Sequence, residues 1–169
     1  MRILTDTKEL YSCFAELMHL HKKYYWVTPF ARSTFPFIFE MADHESKLEK
    51  ISIGLNGLET SPTFINEFFE YPQVKYFNKK ILADDLNLFL FFSNENKWDL
   101  LSGNVYLNRS SFDKGPLFVF HADNNNSDSS LLHASMSVIS QCWDASFNIT
   151  EDEYEAYWER WSKEIAVNE

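Results

Sequence analysis

The stretch from Asp85 to Phe112, DLNLFLFFSNENKWDLLSGNVYLNRSSF, limits what the chain can fold into more than any other segment. Residues 85–92 are mostly apolar, in a run whose length suits a buried strand better than a helix. A polar turn follows, Ser93-Asn94-Glu95-Asn96-Lys97, and then a second apolar run from Trp98 to Leu101. Ser102-Gly103-Asn104 closes it. The pattern predicts strand, turn, strand and a glycine corner.

Helical and strand signals alternate before this hairpin. Asp6-Thr7-Lys8-Glu9 has the form of a capping box, an acidic N-cap with Glu three residues on. Leu10, Phe14 and Leu17 then share one face, so a helix is expected to about His21. Tyr24 to Thr28 reads as a strand by aromatic and β-branched content. A helix starting near Pro36 and running to Met41, a charged stretch, and a strand over 48–55 come next. Ser61-Pro62 sets up another helix, with Phe64, Ile65, Phe68 and Phe69 on its buried face. Val74 to Phe77 is a short strand. After the hairpin a strand is expected over 117–121, a helix over 131–143, and a second capping box at Thr150–Glu153. That box opens a last helix over about 151–165, whose Tyr154, Tyr157, Trp158 and Trp161 make an aromatic stripe. No repeat and no long linker divides the chain, so residues 1–169 are read as one domain.

On the residues of the hairpin and its glycine corner, the chain resembles the phospholipase D-like superfamily, especially its single-domain nucleases. In that family the first strand carries His-x-Lys and the second ends in Gly-Ser-x-Asn. The histidine attacks phosphorus, and the lysine and asparagine hold the phosphate oxygens. Here the histidine place falls on Leu86 and the lysine place on Leu88. Gly103 keeps the glycine; Asn104 stands where the serine would be and Tyr106 where the asparagine would be. Leu107, Arg109 and Phe112 keep the scaffold pattern. Ser110 and Ser111 replace a glycine pair, and Gly115 and Leu117 replace an Asn-x-Glu. The resemblance implies an α/β fold: a mixed, largely parallel sheet flanked by helices on both faces, with the antiparallel hairpin at its centre. It also implies pairing of two domains across a two-fold axis, as a homodimer or as a heterodimer with a related domain.

The chemistry of the motif is absent. A nucleophile needs a lone pair, which Leu86 lacks. A phosphate clamp needs a cation, and Leu88 is apolar. The expectation is therefore a catalytically inactive relative, a binding or assembly module with no catalytic residue, cofactor or metal, of the kind a bacterial restriction or defence system would use. Two displaced histidines could replace the lost nucleophile in a residual phosphodiesterase: His121, at the end of a predicted strand beside Asp123, and His133, on the following helix. An acidic decoy imitating nucleic acid is a third reading, supported by net charge alone.

Composition agrees with a packed, acidic protein. Sixteen Phe residues supply a heavy apolar load, and the net charge of -10 argues against gripping a phosphate backbone. Cys13 and Cys142 are far apart and form no metal motif, so buried free thiols are expected. No run has the length of a membrane span, and Met1 to Leu10 is charged and unlike an export signal, which gives a cytoplasmic location by default. His19 and His21, two apart on a helix, point in different directions and do not share a metal. His44 lies in a charged loop, and His133 on the helix after His121.

Overall fold

The computed structural model describes residues 2–31, 36–55, 58–78, 87–103 and 119–168. Among the described residues seven strands form one sheet: β1 (Arg2–Leu4), β2 (Lys23–Thr28), β3 (Leu48–Gly54), β4 (Val74–Phe77), β5 (Asn87–Asn94), β6 (Lys97–Gly103) and β7 (Val119–Asp123). Their order across the sheet is β1-β7-β6-β5-β2-β3-β4. The α-helices among the described residues are α1 (Thr7–Leu20), α2 (Pro36–Asp43), α3 (Pro62–Glu67), α4 (Ser129–Asp144) and α5 (Glu151–Asn168).

The sheet is mixed, but it is not largely parallel. Only β2–β3 and β3–β4 run parallel; the other four neighbouring pairs are antiparallel. The parallel part is what two strand–helix–strand crossovers produce, through α2 and through α3. The hairpin β5–β6 then enters beside β2 with reversed direction, and β7 and β1 add to its far side. The hairpin sits at the centre, as its apolar composition requires. Five consecutive residues of β5, Asn87 to Phe91, are buried, because β5 has a strand on each side and helices over each face.

Strand alternation divides the interior in two. Trp26, Phe89, Phe91 and Leu101 face one side and pack with α1, α3 and α5 residues such as Phe14, Phe64 and Tyr157. Val27, Leu88, Leu90 and Leu100 face the other and meet Leu132, Ile139 and Cys142 of α4. Helices thus cover both faces. The larger core is aromatic: Trp26 stacks on Phe89 with centroids 4.7 Å apart, and Phe14 stands edge-on to Phe89 and Phe91.

The local signals behave as chemistry dictates. The Asp6 carboxylate accepts from the N–H groups of Lys8 and Glu9, which starts α1. Thr150 and Glu153 form the full reciprocal capping box that starts α5. At the sheet's edge, Tyr76 of β4 and Phe147, between α4 and α5, exchange backbone hydrogen bonds of 2.8 Å in both directions. Cys13 and Cys142 are free and buried. Among the described residues no helix is long and apolar enough to cross a membrane.

Candidate functional site

Leu88 lies on β5 opposite Val27 of β2 and Ser102 of β6, with its side chain toward α4. There it lines a cavity of about 300 Å³. The sheet contributes Leu88, Leu100 and Phe120, and α4 contributes Leu131 and Val138. The polar groups among the described lining residues are two hydroxyls, Ser102 and Ser135, and Ser135 donates to the Leu131 carbonyl at 2.8 Å. None of these described residues is charged. A phosphate here would lose water and gain no cation, which is a large unreturned desolvation cost. Phe120 stands at the margin of the cavity with 42 % of its surface exposed.

Gly103 ends β6, between Asn87 of β5 and Val119 of β7. Its φ of 140° is one that side-chain-bearing residues rarely adopt, so the glycine has a backbone reason to be there. Leu86, Asn104 and Tyr106 lie outside the described residues, as do Leu107, Arg109 to Phe112, Gly115 and Leu117.

His121 is on β7, but its ring faces the opposite side of the sheet from Leu88. Its Nε2 is 2.6 Å from Asp99 Oδ1, and its Nδ1 accepts from Arg2 Nε at 3.0 Å. Arginine is always a donor, so Nδ1 is unprotonated and the proton sits on Nε2; this tautomer is assigned from the network. The other carboxylate oxygen of Asp99 is 2.8 Å from His21 Nε2. His21 in turn meets Ser93 Oγ at 3.2 Å through Nδ1. The result is a chain of contacts, Ser93–His21–Asp99–His121–Arg2, that ties the end of α1 to β5, β6, β7 and β1. Burial opposes the charge on Asp99, but the hydrogen bonds from His121 and His21 outweigh it and hold the carboxyl below its usual range. The Arg2 guanidinium also donates to Cys13 Sγ at 3.4 Å, yet burial still pushes that thiol's pKa up.

The order hydroxyl, imidazole, carboxylate in Ser93, His21 and Asp99 is that of a nucleophilic relay. The geometry favours anchoring instead. The His21 side chain has no exposed surface, and Ser93 Oγ already accepts from the Lys22 N–H at 3.3 Å. Asp123 brings a third potential metal ligand close to Asp99 and His121. A cation fits poorly there: both nitrogens of His121 are engaged, one of them with a guanidinium. The carboxylate of Asp123 is occupied by the N–H groups of Asn125 and Asn126 and the Asn126 amide.

Sequence reasoning singled out His121 but paired it with Asp123 next door. Its hydrogen-bond partners are Asp99, 22 positions away, and Arg2, 119 away. An aspartate inside an apolar strand, in Trp98-Asp99-Leu100, was the available signal, because a buried carboxylate needs donors.

No family model matches the chain, and no curated protein matches it. Among solved structures it is similar to TrmBL2, an archaeal chromatin protein described as showing a novel mode of DNA binding. The TM-score is 0.53 at 8 % identity, covering 88 % of this chain and 54 % of that one. The likeness is one of fold, and the chain spans about half the length of that protein.

Proposed function

We propose that this chain is a non-catalytic module of phospholipase D-like descent that assembles with a second copy of itself through the Leu88 cavity. One observation carries the reading: where the resemblance puts the phosphate-binding lysine, Leu88 helps line an apolar cavity beside the exposed ring of Phe120. A hole with a partly exposed aromatic ring in its rim makes a self-complementary surface. Across a two-fold axis, each Phe120 enters the cavity of the other copy. The volume is at the lower end for ligand sites and suits one aromatic side chain. The residual-enzyme reading is less well supported, since His121 lies on the other face with both nitrogens bonded.

Light scattering with sedimentation tests the pairing. The expected result is a dimer at micromolar concentration that Phe120→Asp converts to a monomer with unchanged circular dichroism. Ala134→Phe, which crowds the same cavity from α4, should do the same. A wild-type monomer throughout would overturn self-assembly. An assay of the same samples on single- and double-stranded DNA, RNA and an activated phosphodiester should show no turnover with or without divalent metal.

A further inference from the structure

His19 lies in the last turn of α1 and His44 follows α2, 25 positions later, and the fold brings their rings together at a centroid distance of 4.6 Å. His44 Nε2 and His19 Nδ1 face one another at 3.3 Å. His44 Nδ1 lies 2.9 Å from the backbone carbonyl of Glu40, which accepts only, so Nδ1 carries the proton and Nε2 presents a lone pair to His19. An imidazole oriented through a backbone carbonyl on its far nitrogen is the arrangement that metal-binding histidines use.

From this geometry we propose that His19 Nδ1 and His44 Nε2 form a surface site for a divalent transition metal ion of the zinc, nickel and copper class. Two nitrogens each about 2.0–2.1 Å from a tetrahedral ion lie roughly 3.3 Å apart. The observed spacing of 3.3 Å equals that, and turning the two rings from their mutual hydrogen bond aims both lone pairs at one ion. Imidazole donors select these ions over magnesium or calcium. Among the described residues no third imidazole, thiol or carboxylate joins the pair closely enough to complete a three-ligand group, so water fills the remaining positions. The nearby ammonium of Lys47 is directed to the last carbonyls of α1, on Met18 and His19, rather than to the ring nitrogens. In the metal-free pair His19 Nδ1 carries the proton facing His44 Nε2; binding the ion moves that proton through solvent to His19 Nε2, so both rings ligate as neutral imidazoles. The ion would clamp the end of α1 to the turn after α2.

The test uses the chain without a polyhistidine tag, titrated with copper(II) and zinc(II). At one equivalent of copper, paramagnetic resonance should show coupling to two imidazole nitrogens. His19→Ala and His44→Ala should each weaken binding by about tenfold or more, while His133→Ala, an exposed histidine on α4, leaves it unchanged. Zinc should raise the melting temperature of the wild type and not of the double variant. Absence of stoichiometric binding, or binding that survives in the double variant, would overturn the site. Melting of the metal-free variants close to wild type shows that any loss is loss of ligands and not of fold.

Discussion

The indole N–H of Trp26 donates to the side-chain oxygen of Asn87 at 2.8 Å, joining β2 to β5 in the middle of the aromatic core. Both residues are fully buried. Asn87 is the one polar side chain in the apolar run Leu86 to Phe92, and it faces away from the Leu88 cavity. Asn87→Leu keeps the volume but strands a buried indole donor. The expected cost is about 1–3 kcal/mol, read from the shift of the urea midpoint. An unchanged midpoint would show that the bond contributes nothing net.

Asp99 gives the protein a specific response to acid. Its carboxyl ionises more readily in the folded chain than an ordinary aspartate does. Such a group adds stability above the unfolded range and surrenders it as pH falls through the lower, folded value. Asp99→Asn also turns an amide donor toward one of two imidazole donors. The variant should be less stable than wild type at pH 7, and the gap should narrow as pH drops below about 4. A gap independent of pH between 7 and 3 would remove the carboxylate from the explanation.

At the end of β3, Gly54 has no room for a side chain. A Cβ there would lie 2.2 Å from the Pro29 carbonyl oxygen and 3.0 Å from the Phe77 ring. The backbone oxygen cannot swing aside as a side chain can. Gly54→Ala should therefore cost about 1–3 kcal/mol, measured by thermal or chemical unfolding, although alanine ordinarily favours order over glycine.

Tyr157 of α5 donates its hydroxyl to the Thr60 carbonyl at 2.8 Å, 97 positions back in the chain. Tyr157→Phe leaves that buried carbonyl without this donor and should lower stability by about 1 kcal/mol. Hydrogen exchange should show the loss first in α5. Uniform acceleration across the sheet would mean that the helix is not held by this bond.

Most elements are legible in the sequence because their signals are local. Asp6–Glu9 and Thr150–Glu153 each specify a helix start within four residues, and Ser61-Pro62 places the start of α3. Val74 to Phe77 is the strand its composition predicts. Strand direction is not local. The βαβ pattern of residues 23–77 reads as parallel, and extending it across the whole sheet overlooks that hairpin partners add antiparallel strands. The pairing of β1 with β7, Arg2 opposite His121, was equally hidden, because its reason is a contact 119 positions long. The same holds for His19 and His44. They are 25 positions apart, and only the packing of α1 beside α2 brings the two imidazoles together, one edge-on to the other.

The exchange of main-chain bonds between Tyr76 and Phe147 has a further consequence. Sheets grow into fibrils by recruiting foreign strands at an unpaired margin. Here the β4 margin is partly occupied from within by the segment joining the last two helices, and β1 at the other margin offers only three residues. Among the described residues, a chain this rich in phenylalanine thereby presents short or partly covered margins to a foreign strand, and part of that cover is a piece of its own connecting loop.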